Sequence, residues 1–194
     1  ASDVALRESS ALGPAGPYPI SKLAQELLVL EAVRTDGLDA IVTRSFNHIG
    51  PGQTPDYVTA SVARQIARIE AALEPPVLAV GNLDARRDLT DVRDTVAGYE
   101  ALMARGTSGR VYNVCSGRAV VVRTLVEALV ARARVAVRVE HDPSRMRPSD
   151  TPVILGSHDL LTADTGWTPS IPLEQTLDDT LAFWRARVAA DPSA

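Results

Sequence analysis

Tyr18 and Lys22 stand four residues apart in the stretch "GPYPISKLAQE", a spacing that puts two side chains on one face of a helical turn. A free phenol titrates near pH 10 and keeps its proton at neutral pH. An ammonium beside it favours the phenolate and draws that value down. The pair is therefore suited to passing a proton to or from a sugar or alcohol oxygen. Pro17 and Pro19 agree with a helix that begins here, because the first turn makes no use of the N–H groups they lack. The same spacing also arises by chance, as a surface tyrosine and a solvated lysine at a helix start, so the pair takes its meaning from what surrounds it.

The helix that carries the pair is expected over residues 18–36, with Leu23, Leu27, Leu30 and Val33 along one side as core or interface and Gly37 as its stop. A short β-branched strand is expected at 39–46 and a Gly- and Pro-dense loop in "NHIGPGQTP". A helix at 56–73 and a strand in "PPVLAVG" follow. "NLDARRDLTDV" then leads into a helix at 91–105, and "RVYNVCSG" reads as an apolar strand. The remainder reads as a helix at 121–134, a strand at 135–140, a loop in "RMRPSDTP", and helices at 157–165 and 172–188. Strand and helix alternate, which predicts an α/β fold with a largely parallel sheet. Doubly wound nucleotide binders open with strand, glycine-rich turn and helix. No G-x-G-x-x-G or G-x-x-G-x-x-G occurs in the 194 residues.

The totals exclude several classes. Lys and Arg number 20 against 24 Asp and Glu, the formal net charge is −4, and aromatic residues make up 4%. A nucleic-acid reader carries a basic stripe, and none is present. Cys115 is the single cysteine, and no Cys/His cluster has metal-ligand spacing, so neither a disulfide nor a metal is expected. No apolar run approaches the ~20 residues that a membrane helix needs, and the first residues lack the apolar segment of a secretory signal. A cytoplasmic protein with no membrane partner is the expectation.

After "YPISK" come "RSFNHIGPGQ" (44–53), "VGNLDARRDLTDVRD" (80–94), "VYNVCSG" (111–117), "RMRPSDTPVILGS" (145–157) and "TGWTPSIPLEQTL" (165–177). In this order and at these intervals the motifs resemble the extended short-chain dehydrogenase/reductase family of sugar-nucleotide epimerases and dehydratases, over nearly the whole chain. The likeness is greatest in the GDP-sugar branch, and "RSFNHIGPGQ" and "RMRPSD" look more like its reductases than its dehydratases. The resemblance implies the C-terminal part of a Rossmann-like doubly wound parallel sheet plus a small α/β substrate-binding domain. Residues 1–50 would belong to the NAD(P)-binding Rossmann domain. Residues 51–194 would mainly bind the nucleotide sugar, with about 91–134 returning to the Rossmann sheet. The family's glycine-rich front, roughly 120 residues if four βα units are absent, is expected to be missing, leaving the activity of this chain alone open.

What the resemblance implies for single residues follows. Tyr18 would be the general acid. Lys22 would hold the nicotinamide ribose and tune Tyr18. Ser45 and Phe46, at a strand end, would lie against the nicotinamide. Asn47 would hydrogen-bond the sugar and Asn82 would lie near the nucleotide. Arg87 and Arg147 would hold the diphosphate, for which a guanidinium fork is suited, with Arg145 assisting or facing solvent. NADP or NAD would be the cofactor, a GDP-sugar the substrate, and a homodimer the assembly. The implied reaction is reduction of GDP-4-keto-6-deoxy-D-mannose to GDP-D-rhamnose. The alternatives are a GDP-mannose 4,6-dehydratase, another nucleotide-sugar epimerase or dehydratase, or an inactive nucleotide-sugar-binding fragment. Plainer readings attach to other motif positions. His48 is expected as a packed loop histidine, Arg86 as a solvated charge and Asp88 as a structural partner of an arginine. Asp94 fits a helix first turn, Cys115 an inert core thiol, and Trp167 an aromatic packed under the last helix.

Overall fold

The computed structural model describes residues 4–145 and 151–193. The chain starts with α1 (Pro17–Asp36), closed by Gly37 in the left-handed conformation at φ 67°. β1 (Val42–Ser45) follows, then β2 (Asn47–Ile49), α2 (Val58–Glu70), β3 (Val77–Val80), β4 (Arg86–Asp91) and α3 (Val92–Arg105). The rest comprises β5 (Val111–Val114), β6 (Ala119–Val121), α4 (Val122–Val130), β7 (Arg138–His141), a 3-10 turn at Pro143–Arg145, β8 (Val153–Ile154), α5 (Asp159–Thr165) and α6 (Leu173–Ala190).

The strands pair mostly in parallel, as the alternation predicts. β1 pairs with β5, β3 with β7, and β2 and β8 with β4; only β6 runs antiparallel to β4. β2, β4 and β8 are additions to the expected elements. β2 lies in the expected Gly/Pro loop, β4 occupies what read as a lead-in to α3, and β8 starts just after the "RMRPSDTP" loop, at Val153. These strands span three, six and two residues. Too short or too charged to show alternation, they are fixed by their partners rather than by local preference. The expected helix at 121–134 is shorter at both ends: Ala119–Val121 forms β6, a further added strand, and α4 stops at Val130.

Two apolar cores form. The larger one joins α2, α4 and α6 over β3 through Ile66, Leu78, Leu125, Leu129, Leu177, Leu181 and Trp184. The smaller joins α3, β5 and α5 through Leu102, Tyr112, Val114, Leu161 and Trp167. Trp167 therefore packs under α3, not under α6 as expected. Its indole N–H donates to the Asp94 carbonyl at 3.1 Å, and a Cβ on Gly98 would meet its ring at 3.3 Å. α1 contributes no buried residue: Leu23, Leu30 and Val33 are half-buried, whereas Leu27 and Leu28 are 58% and 70% exposed. Among the described residues no helix is long and apolar enough to cross a membrane.

Candidate active site

The start of α1 is built for an exposed tyrosine. Gly16 caps it at φ 94°, a conformation costly for residues with a Cβ. Pro17 and Pro19 occupy the first turn, and the Ser21 hydroxyl donates to the Tyr18 carbonyl at 2.8 Å. Tyr18 is 71% exposed. Lys22 lies one turn on, its ammonium 5.6 Å from the centre of the Tyr18 ring, within cation–π range. The same ammonium donates to Gln25 Oε1 at 3.3 Å. The spacing thus brings the two groups together as expected.

A cavity of about 1550 Å³ opens beside Tyr18. Its wall gathers Tyr18, Ser45, Phe46, Asn47, Asn82 and Arg87, although these belong to α1, the ends of β1 and β3, β2 and β4. Lys22 is not part of that wall; it stands behind the tyrosine. Arg147 lies outside the described residues.

Neighbouring residues of β1 point to opposite faces, although both Arg44 and Ser45 touch the cavity. Arg44 turns toward α1, where Glu26 takes its fork at 2.9 and 2.6 Å and the Glu8 carbonyl accepts at 2.9 Å. Ser45 consequently faces the other way, and its hydroxyl lies 2.7 Å from the Tyr99 phenol on α3. Phe46 is held by its N–H, which donates to the Val114 carbonyl at 2.9 Å and so extends the β1–β5 ladder. A Cβ on Gly156 would come within 2.7 Å of both the Phe46 ring and the Cys115 sulfur, so only glycine lets that backbone pass.

β4 orients the polar wall. Asn47 pairs in register with Leu89, and residues opposite each other in a ladder share a face. Arg87, two residues earlier, projects the same way into the cavity. Its guanidinium donates to the Arg86 and Thr151 carbonyls at 2.9 and 2.7 Å, which braces it against β8. Asp88 points to the opposite face and is fully buried. It accepts from Ser116 N and Oγ at 2.8 and 2.6 Å, Gly117 N at 3.0 Å and Gly156 N at 3.1 Å. Its role is structural as expected, but its described donors are backbone and hydroxyl groups, not an arginine. Asn82 accepts from Asp84 N at 3.0 Å.

Four other plain readings can be compared with the structure. His48 is exposed and lines the cavity, so it is not a packed loop histidine. Arg86 is half-buried rather than solvated. Cys115 is buried, and burial, followed by the nearby Asp88 charge, pushes its thiol up to about 12, which leaves it an inert core group. Asp94 does sit in the first turn of α3, but it also fastens a distant loop by accepting from Ser170 N and Oγ and from Ile171 N. Sequence reasoning passed over Ser61 and the placement of Arg145 in the cavity wall, and over Tyr99, which supports Ser45 from outside that wall. Tyr99 and Ser61 sit inside helices among ordinary helix formers, and only tertiary packing gives them these contacts. Among the described residues no group of three or more His, Cys, Asp or Glu side chains could hold a metal ion.

Comparison with known proteins follows the same outline. A sequence family described as GDP-mannose 4,6 dehydratase matches residues 1–180. The GDP-6-deoxy-D-mannose reductase of Pseudomonas aeruginosa is 45% identical over 175 residues, covering 90% of this chain and 58% of that protein. The GDP-mannose 4,6-dehydratase of Vibrio cholerae is 24% identical over 208 residues, covering 93% of this chain and 56% of its own length. Among solved structures, RMD from Pseudomonas aeruginosa complexed with NADPH superimposes with a TM-score of 0.88 at 42% identity, covering 93% of this chain and 60% of that one. The chain thus spans a little under two thirds of the length of these relatives.

Proposed function

The chain belongs to the GDP-mannose 4,6-dehydratase family of sugar-nucleotide enzymes, and from that premise we propose that it carries the proton-donating and substrate-holding part of an NAD(P)H-dependent reductase. The reaction we assign is reduction of GDP-4-keto-6-deoxy-D-mannose to GDP-D-rhamnose. The observation that carries this reading is the convergence of Tyr18, Asn47, Asn82 and Arg87 on one cavity. The 45% identity to a GDP-6-deoxy-D-mannose reductase supports it over the dehydratase reading, for which the described relative is at 24%.

The residues present fit a nicotinamide nucleotide, since Ser45 and Phe46 close the cavity beside Tyr18 with Lys22 stacked behind it. When bound, that cofactor supplies the hydride that reduces the C4 carbonyl carbon and is itself oxidised. Tyr18 gives its phenolic proton to the C4 oxygen, so the carbonyl becomes a hydroxyl. The exposed phenol is then reprotonated from solvent. Lys22 keeps its ammonium 5.6 Å from the centre of the ring. The Asn47 amide, both donor and acceptor, holds a sugar hydroxyl. Arg87 takes the diphosphate, and Arg147 is its partner by motif. The rest of the organisation is proposed on the same footing. Residues 1–50 and the returning strand β5 form the cofactor side, supported by the β1–β5 ladder, and most of 51–194 forms the substrate side. The uncovered face of α1 is the contact for a second copy.

One binding measurement and one activity assay test this. Arg87→Ala is expected to weaken GDP binding far more than NAD(P)H binding; equal loss of both, or no loss, removes Arg87 from the diphosphate role. Conversion of GDP-mannose to its 4-keto-6-deoxy product without added reductant would move the assignment to the dehydratase.

A further inference from the structure

Ser61 on α2 and Arg145 also line the cavity, and they are bonded to each other. Arg145 is positioned with unusual care for a side chain that is 44% exposed. Its Nε donates to Asp142 Oδ2 at 3.2 Å, and its Nη1 donates to Ser61 Oγ at 3.3 Å. Its backbone carbonyl lies so close to Gly81 that a Cβ there would come within 2.5 Å. Asp142 is itself fixed by Ser144 N and Oγ at 2.9 and 2.7 Å. Those Ser144 bonds, with Arg145 as a smaller contribution, keep the Asp142 carboxyl below its usual range and hence ionised. The guanidinium is therefore clamped and charge-compensated. Among the described residues its Nη2 makes no hydrogen bond, so the outer fork of Nη1 and Nη2 still has N–H groups to offer.

We propose that Arg145 is a specificity-determining residue that reads the base of the nucleotide, presenting its outer fork to the O6 and N7 acceptors of guanine. This rests on the nucleotide-sugar reading above and adds to it the residue that selects the base. With Tyr18 assigned to the reacting sugar and Arg87 to the diphosphate, the part of the wall formed by Asn82, Ser61 and Arg145 is left for the nucleoside; Arg145 is tied to that part by its bond to Ser61 and its close approach to Gly81. The cavity, about 1550 Å³, exceeds the ~300–1,000 Å³ of an ordinary small-molecule pocket, so its length accommodates this order. A guanidinium already paired with a carboxylate is better matched to neutral acceptors than to a diphosphate. Guanine offers two adjacent acceptors on that edge, whereas adenine places an N6 donor beside N7, against which an all-donor fork clashes.

The test is calorimetric titration of the protein with GDP, ADP and 7-deaza-GDP, which lacks the N7 acceptor. Wild type is expected to bind GDP roughly tenfold or more tighter than ADP, in the range of a good bidentate contact, and to bind 7-deaza-GDP several-fold more weakly than GDP. In Arg145→Met, and in Arg145→Lys, which keeps the charge without the fork, these preferences should collapse while ADP binding changes little. Equal weakening of GDP and ADP in Arg145→Met would make the residue a phosphate contact and overturn the proposal, as would unchanged preference. Should the variants fail to fold, equal affinity of wild type for GDP and 7-deaza-GDP overturns it alone. Failure of wild type to bind any of the three nucleotides would instead refute the nucleotide-sugar reading, and this inference with it.

Discussion

α1 and α2 are both regular helices with abundant apolar residues, yet they are used in opposite ways. α2 buries Val62, Ala63, Ile66, Ala67 and Ile69, among others, against α4, α6 and β3. α1 is longer and buries nothing completely. The difference follows from sequence pattern. In α2 the apolar residues fall at i, i+3, i+4 and i+7, which makes one stripe, and arginines take the other side. In α1 Leu27, Leu28, Val29 and Leu30 run consecutively and spread around the helix, so no single neighbour can cover them. One helix stabilises the fold, and the other holds a tyrosine and a lysine at the edge of a cavity.

This contrast can be broken at several points. The largest effect is expected from Tyr18→Phe, which removes the proposed proton donor. Turnover should fall by about 10²–10⁴ with melting unchanged, measured by NAD(P)H oxidation in a preparation that binds the cofactor. Retained turnover would end the general-acid assignment. Ile66→Ala, in the fully buried stripe of α2, should lower unfolding stability by about 2–5 kcal/mol in a denaturant titration.

The end of α2 should show a pH effect. Burial tends to raise the Glu70 carboxyl, but the two Arg185 bonds at 2.7 Å and the Arg134 N–H at 2.8 Å outweigh it and hold the group below its usual value of 4.5. A depressed folded-state value contributes stability above the unfolded pKa, and that contribution is lost as pH falls through the folded one. The melting temperature should therefore decline on acidification below about 4.5, and Glu70→Gln should flatten that limb while costing stability at pH 7. The smallest effect belongs to α1. Leu28→Ala should change monomer stability by no more than about 0.5 kcal/mol. A loss as large as that of Ile66→Ala would mean that α1 and α2 do not differ as described.

Much of the fold was legible because long periodic segments declare themselves. α1, α2, α3 and α6 each fell within a few residues of the expected span, and Gly37 stops α1 in the expected left-handed conformation. β4 was not legible. "RRDLTD" has no apolar alternation, and its charges are tolerable in a sheet only because Asp88 and Asp91 find donors from remote segments or from Arg93. For the site, Tyr18 and Lys22 could be paired from spacing alone. The gathering of Asn47, Asn82 and Arg87 required the resemblance, since no local rule relates residues on separate strands. Arg145 could be named from its motif, but which way it faces depends on Ser61 and Asp142.

The first described residues have a consequence for how the chain is made. Leu6 bridges to Gly156, donates to the Leu155 carbonyl and accepts from Ser157 N, while the Asn113 amide reaches the Leu6 carbonyl. Synthesis runs from the N-terminal side, so Leu6 emerges long before its partners exist. Such widely separated pairings are the slowest to form and leave an edge unprotected meanwhile. Residues 4–10 should accordingly be the last stretch to gain protection from amide exchange during refolding, and a chaperone's natural handle until residue 157 has left the ribosome.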